Sequence, residues 1–356
     1  MSIELSADAL PLLFALDATP VIGVTGRSVR FLNPAAQRLF GEVQPGCAIR
    51  RLLPEHVALH QASAFFATAR IRAKSYVVTV TTMPGMRVFR LYPVAAHRAF
   101  PEMLAPSETF SMELGLSSSY FSAYAAEHED LTLRHYAARL AHTTDQLRRW
   151  VNNTDVLQQL SGPSSHHERT CDCTALLAAI VEHAEPMLSR RRQALELELT
   201  LPEAPARVRM APELFEQMVL NLLSNAVQAA DAFDPIRVRL VTGTRTAHIT
   251  IQDHGPGFPE GVLPAVFQAH AEGKIPHTEQ VHKGYGLPVC FAITEHMGGS
   301  LLIENSRSGG AAVHVILPLH TGAKAALCAP ETPDAEALRA VCRIGLSDAL
   351  EDEDYL

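Results

Sequence analysis

The stretch Leu220-Asn221-Leu222-Leu223-Ser224-Asn225-Ala226-Val227-Gln228-Ala229-Ala230 carries two patterns on one helix. Phe215, Met218, Val219, Leu222, Leu223 and Ala226 recur at helical spacing and form an apolar face. Gln217, Asn221, Asn225 and Gln228 follow one another at steps of four, four and three residues, which lays a polar stripe beside that face. Asparagine is a mediocre helix former, so two of them in mid-helix call for a reason. A solvated face is one explanation. The other is a pocket wall that presents neutral amide oxygens to a metal ion. The neighbouring sequence separates the two.

The 356 residues suffice for two or three domains. With 47% hydrophobic and 19% charged residues the chain can build sizeable cores, which excludes wholesale disorder. A net charge of -8 argues against generic nucleic-acid binding, which wants a basic stripe. Met1 to Ala18 lacks a basic start followed by a long apolar core. No window approaches the roughly 20 apolar residues that a membrane helix needs. A cytoplasmic protein without a membrane span is expected. The six cysteines are scattered and only Cys171 and Cys173 lie close together, so reduced, unpaired thiols are expected.

Residues 9–95 read as a small α/β domain. Pro20 to Val24 and Val29 to Leu32 are short strands around a turn at Gly26-Arg27-Ser28. Asn33-Pro34-Ala35-Ala36 opens a helix, with Asn as cap and Pro at the first helical position. Ala67 to Arg72, Ser75 to Thr82 and Met86 to Tyr92 read as further strands, the last two joined at Pro84-Gly85. A strand hairpin followed by Asn33-Pro34-Ala35-Ala36-Gln37-Arg38-Leu39-Phe40-Gly41 resembles a PAS domain, a class that senses ligands or mediates dimerisation. His56 and His60 sit four apart, and an ordinary structural role is expected for both.

Residues 106–162 read as a helical hairpin. Leu133, Leu140, Leu147 and Thr154 repeat every seven residues, with Tyr136 and Val151 between them, as in a bundle seam. Leu116, Tyr120 and Tyr124 form a matching stripe upstream. The segment Ser161-Gly162-Pro163-Ser164-Ser165-His166-His167 has linker composition.

Residues 170–318 read as a second α/β unit. A helix from about Thr174 to Arg190 precedes a half-buried strand of alternating Leu195, Leu197, Leu199 and Leu201. The Asn-bearing helix follows, then a hairpin of Ile236-Val238-Leu240 and Ile249-Ile251, then strands at Ser300 to Glu304 and Ala311 to Leu317. A mixed or antiparallel sheet covered on one face by helices suits this order. Residues 319–356 show a short helix near Ala335 to Arg343 and an acidic end at Glu351-Asp352-Glu353-Asp354, expected to be solvated.

Three segments of the second unit combine into one chemistry. Asn225 offers a hard oxygen suited to Mg²⁺, which takes few protein ligands beside phosphate and water. Asp253, in Asp253-His254-Gly255-Pro256-Gly257-Phe258, can accept from an exocyclic amine such as that of adenine. Gly255 and Gly257 let a flat base lie close to backbone. Lys283-Gly284-Tyr285-Gly286-Leu287 enters a helix, so backbone N–H groups and the Lys283 charge can meet phosphate.

Together these segments resemble the ATP-binding domain shared by sensor histidine kinases, gyrase-type ATPases and the related heat-shock chaperones. Asn221 to Ala226 matches its asparagine motif, Asp253 to Gly257 its D-x-G-x-G motif, and Gly284 to Leu287 its second glycine motif, with Pro288 where many kinases have glycine. Ala265-Val266-Phe267 with Lys274 resembles the phenylalanine motif of the lid. Ile293 to Gly299 fits the last helix. The resemblance implies ATP and Mg²⁺ as cofactors, with Asn225 as metal ligand and Asn225, Asp253, Gly255, Gly257, Lys283, Gly284, Gly286 and Leu287 as binding residues. The hydrolysing ATPases carry Glu four residues before the metal-binding Asn. The amide of Asn221 is a poor base, which favours phosphoryl transfer to a protein over water splitting.

The fold class expected is thus multidomain α+β: a PAS-like α/β domain, a two-helix dimerisation hairpin and an α/β sandwich ATP-binding domain, with an acidic tail. A kinase of this family needs an acceptor histidine on the first hairpin helix. Phe110-Ser111-Met112-Glu113-Leu114 resembles the flanks of that motif, F-S-H-E-L, with Met112 in the acceptor's place and Glu113 as the would-be base. A thioether has no route to a stable phosphoryl adduct. His128, His135 and His142 are the alternatives in the hairpin; His128 falls where the hairpin should turn, about 24 Å down the helix from Met112. A sensor kinase-like signalling protein in a two-component phosphorelay is expected, a homodimer with a response regulator as partner. The alternative is a degenerate kinase that regulates by ATP-dependent binding alone.

Overall fold

The computed structural model describes residues 11, 14–41, 43–83, 85–94, 108–128, 130–161, 168–189, 197–202, 204–230, 235–258, 286–306, 309–320 and 335–356. The chain divides into two compact units. One comprises Met1–His97, Pro259–Pro276 and Leu302–Asn305; the other comprises Arg98–Phe258, His277–Leu301 and Ser306–Leu356.

In the first unit, β1 (Val21–Thr25), β2 (Ser28–Leu32), β3 (Phe65–Ile71), β4 (Lys74–Met83) and β5 (Met86–Pro93) form an antiparallel sheet in the order β2-β1-β5-β4-β3. Helices α1 (Pro34–Phe40) and α2 (Glu55–Ala58) lie between β2 and β3 in the chain. Val78, Val80, Phe89 and Leu91 are buried in one apolar core with Val24 and Phe65. Gly23 is a packing requirement within β1. A Cβ there would stand 2.1 Å from the Phe31 ring, so only glycine lets that ring lie across the strand.

Asn33 is a local organiser, and its 2% exposure shows how completely the turn closes over it. Its Oδ1 accepts from the Ala36 and Val21 amides, both at 2.9 Å, which caps α1 and fastens it to β1. Its Nδ2 donates to the carbonyls of Asp17 at 3.0 Å and Thr19 at 2.8 Å. His56 Nε2 lies 3.1 Å from the Thr68 carbonyl, an ordinary structural contact.

In the second unit, α3 (Glu108–Glu127) and α4 (Leu131–Ser161) form the helical hairpin. His128 lies at the turn between them, as the spacing requires. A short ladder pairs β6 (Arg169–Asp172) with β8 (Arg207–Met210), which the sequence reading did not contain. Helix α5 (Cys173–Ser189), strand β7 (Leu197–Thr200) and helix α6 (Pro212–Ala229) come next. Strands β9 (Ile236–Thr242), β10 (Thr246–Gln252) and β12 (Ala311–Pro318) follow, with α7 (Gly286–His296) and α8 (Ala335–Leu346); β11 (Ser300–Asn305) starts here and continues into the part of the chain assigned to the first unit. The sheet runs β12-β10-β9-β7; its first two pairings are antiparallel, and β7 lies parallel to β9.

The hairpin's leucine and tyrosine stripe is open in the single chain: Leu116, Tyr120, Tyr124, Tyr136, Leu140 and Leu147 are all exposed. The face of α4 that is buried carries Asp145, Arg149 and Asn153 instead. The terminal segment is folded rather than a free tail: Cys342, Leu346, Ser347 and Ala349 are fully buried, and 3-10 turns at Ser347–Ala349 and Asp352–Tyr355 continue from α8, while Glu351 and Glu353 are exposed as expected. Asp348 pairs with Arg149 and Asp352 with His142, which ties this segment to α4.

Among the described residues, no helix is long and apolar enough to cross a membrane. Cys47, Cys171, Cys173, Cys290 and Cys342 are free thiols, and burial pushes Cys173 and Cys342 up to about 12, which keeps them protonated and inert. Replacing Asn33 by Ala strips the α1 cap and its loop anchors together. Urea unfolding of the first unit should show a loss of about 2–4 kcal/mol; a loss under about 0.5 kcal/mol contradicts this role.

Candidate functional site

The site is built on α6. Pro212 starts the helix in its first turn, where a missing N–H costs nothing. Leu214, Phe215, Met218, Val219, Leu222 and Leu223 bury the apolar face. Along the polar stripe Asn221 is 2% exposed, Gln217 and Asn225 are half-buried and only Gln228 is exposed, while Ser224 beside it is fully buried.

A second polar stripe covers the first. On α4, His142, Asp145, Arg149 and Asn153 follow at steps of three, four and four residues and share one face. The Asn221 Oδ1 accepts from Arg149 Nη2 at 2.9 Å and from Asn153 Nδ2 at 3.2 Å, while its Nδ2 donates to Asn153 Oδ1 at 2.9 Å. Gln217 donates to the same Asn153 oxygen at 2.8 Å, and Arg149 Nη1 donates to Ser224 Oγ at 2.9 Å. Arg149 Nη1 also lies 2.8 Å from the Asp348 carboxylate, beyond α8. Burial pulls the Arg149 guanidinium below its ordinary value, and Asp348 opposes that shift. Removing one partner of a buried charge typically costs about 3–5 kcal/mol, so these residues act as one network.

The second element is the end of β10. Asp253 is 6% exposed, and its Oδ1 accepts from the Gly255 and Ala311 amides, each at 3.0 Å. Its own amide donates to the Ala311 carbonyl at 3.0 Å, so both main chain and side chain are clamped to the start of β12. Its second carboxylate oxygen has no hydrogen-bond partner among the described residues. A buried carboxylate with one oxygen fixed and one free is poised to accept from an incoming donor. Two glycines make this possible. A Cβ on Gly255 would stand 2.0 Å from the Ala229 carbonyl at the end of α6, and one on Gly310 would stand 2.1 Å from the Asp253 carbonyl. Gly257 has φ +73°, in the region that favours glycine.

The third element is α7. A Cβ on Gly286 would lie 3.4 Å from Asn221 Oδ1 and 3.6 Å from the Asn225 amide, so the start of α7 faces both asparagines closely. Leu287 follows it, and Pro288 falls in the first turn, where the helix tolerates it. The structure thus brings Asn221, Asn225 and Gly286 together, and joins Asp253 and Gly255 to the C-terminal end of α6. Lys283, Gly284 and the segment with Phe267 and Lys274 lie outside the described residues. Met112 is 60% exposed, and its neighbour Glu113 is exposed on α3 without a partner among the described residues. His142 is engaged at both ring nitrogens, Nδ1 with Asp352 Oδ1 at 2.7 Å and Nε2 with the Ser347 carbonyl at 2.9 Å.

Sequence reasoning missed Arg149, Asn153, Gly310 and Asp348. The signal for the first two was the polar stripe on α4, overshadowed there by the leucine heptads. Gly310 stands immediately before β12, and its closeness to Asp253 depends on strand pairing.

Residues 210–321 match the family described as histidine kinase-, DNA gyrase B- and HSP90-like ATPase. The chain therefore carries an ATP-binding domain of that class. It is also a homologue of sensor histidine kinases. The sensor protein KdpD of Escherichia coli is 30% identical over 174 residues, covering 49% of this chain and 19% of KdpD. The C4-dicarboxylate transport sensor protein DctB of Pseudomonas aeruginosa is 28% identical over 218 residues, with coverage of 51% and 35%. The adaptive-response sensory kinase SasA of a Synechococcus strain is 27% identical over 186 residues, with coverage of 50% and 48%. The chain spans less than half the length of each of these relatives.

Two predictions test this geometry. Gly255→Ala should abolish nucleotide binding and lower the melting temperature, because its methyl meets the Ala229 carbonyl; wild-type behaviour in calorimetry contradicts the placement. Glu216 on α6 is raised to about 7 by burial, with repulsion from Glu213 adding to it. The folded protein holds that proton more tightly than the unfolded chain, so stability falls as pH rises from about 4.5 through about 7. Glu216→Gln should raise the melting temperature by about 2 °C at roughly pH 8 and leave it unchanged near pH 4. A gain of equal size at both pH values contradicts the assignment.

Proposed function

We propose that this protein is a sensor kinase-like signalling component that binds ATP with Mg²⁺ and acts in a two-component phosphorelay. The observation that carries the proposal is the Asp253 carboxylate, buried, fixed through one oxygen and open through the other. The free oxygen suits the exocyclic amine of adenine. Asn225, half-buried and facing the start of α7, suits one ligand position on a Mg²⁺ whose remaining ligands are phosphate and water. Backbone amides at Gly286 and Leu287, with Lys283 and Gly284, would hold the phosphates. The amide at Asn221 favours transfer to a protein group over hydrolysis.

The exposed hairpin stripe supports a homodimer. Leu116, Tyr120, Tyr124, Leu140 and Leu147 form an apolar surface that a second copy would cover, by self-complementary packing of helices. The five-stranded first unit supports a PAS-like sensor role, and a response regulator is the partner that a phosphorelay implies. Cytoplasmic placement belongs to the same proposal.

A second reading is favoured by one residue. Met112 stands exposed where the acceptor histidine is expected, and a thioether cannot take a phosphoryl group. The protein would then bind ATP and change partner affinity without phosphotransfer. Incubation of the full chain with γ-labelled ATP and Mg²⁺ separates the readings. The first predicts acid-labile, base-stable label on a histidine such as His128, His135 or His142, lost in Asp253→Asn. The second predicts nucleotide binding without label. Absence of binding overturns both.

A further inference from the structure

The C-terminal segment has no place in the chemistry above, yet it is fastened to the one helix that seals Asn221. Helix α8 and the turns after it lie against α4 and α6. Arg343 Nε donates to Asp145 Oδ2 at 2.8 Å. His142 is held from both sides by Asp352 and the Ser347 carbonyl, and its ring stacks on Tyr355 with centroids 5.2 Å apart. Asp348 pairs with Arg149 at 2.8 Å. On the other side, a Cβ on Gly345 would stand 2.8 Å from Leu220 Cβ, so α8 packs on α6 at glycine distance. The segment therefore grips α4 at three levels, Asp145, His142 and Arg149, while resting on α6.

Those grips bear on the site. Asn221 borders the start of α7, where a Cβ on Gly286 would lie 3.4 Å from its Oδ1, so its amide can turn toward a phosphate held there only if it is not already engaged. Here its oxygen takes two donors and its nitrogen already donates to Asn153. The residues that occupy it come from α4, and Asp348 holds the guanidinium that makes one of those bonds. We propose that Ala335–Leu356 is a built-in clasp that holds α4 on α6 and keeps Asn221 capped, so that full engagement of ATP·Mg²⁺ requires the clasp to loosen. The proposal rests on the ATP-site reading. A site whose competent state is only fractionally populated shows an affinity reduced by that fraction, so loosening the clasp tightens nucleotide binding. By reciprocity, nucleotide loosens the clasp.

The test uses the full chain. Asp348→Asn, Asp352→Asn and the pair are titrated with trinitrophenyl-ATP and Mg²⁺, with circular dichroism confirming that each is folded. In parallel, hydrogen exchange of the 335–356 backbone is followed in the wild type with and without saturating ATP·Mg²⁺, which needs no variant. The clasp predicts an affinity at least fivefold higher in the double variant, and exchange across 335–356 at least tenfold faster with nucleotide. Equal affinity in wild type and folded double variant, with exchange unmoved by nucleotide, overturns the clasp and leaves the ATP site standing. Absence of binding by every form overturns the ATP site, and with it the clasp as a gate.

Discussion

The second unit depends on one contact between two polar stripes. Arg149 and Asn153 from α4 meet Asn221 and Ser224 from α6 in a buried layer of shared hydrogen bonds, in which both Arg149 Nη atoms are engaged while its Nε has no partner among the described residues. Such a layer gains little over water while complete, and costs heavily when any member is missing. It fixes the register of hairpin against sheet more sharply than leucine packing would, because amide and guanidinium geometry admits few alternatives. Asp348 completes it from beyond α8, nearly two hundred residues after Arg149 in the chain.

The same helix α6 joins this layer to the strand ends. Its C-terminal carbonyl at Ala229 sets the distance that only Gly255 tolerates, and Gly255 donates to the Asp253 carboxylate. Ala311 pins that carboxylate from β12. A shift of α6 would therefore be felt at Asn221 and at Asp253 together. The fold thus couples the hairpin, the terminal segment and the candidate nucleotide pocket through one rigid element, with no contact between the pocket and the terminal segment required.

Much of this was legible in the sequence where the cause is local. The Asn33-Pro34 helix start was readable because a cap acts within three residues, and the structure has the Asn33 oxygen on the Ala36 amide. The strands of the first unit were readable as short runs bounded by turn residues. The Asn-bearing helix was readable too, and its Asn221 and Ser224 are buried. What escaped depends on distant partners. The docking of the terminal segment on α4 was hidden because its partners His142 and Arg149 lie far away in sequence. The polar face that α4 buries within one chain escaped as well, because its partners on α6 and beyond α8 are distant in sequence. The parallel pairing of β7 with β9 is a matter of topology, which alternation does not encode.

The contact between the stripes is open to direct measurement. A double-mutant cycle in urea with Arg149→Met and Asn221→Ala, singly and together, isolates their interaction from everything else each side chain touches. A buried, shared network predicts a coupling of about 1–3 kcal/mol, with the second substitution costing much less once the first is made. Additive losses, within about 0.5 kcal/mol, would mean that α4 and α6 do not meet through these residues, and the account of the site would fail with them.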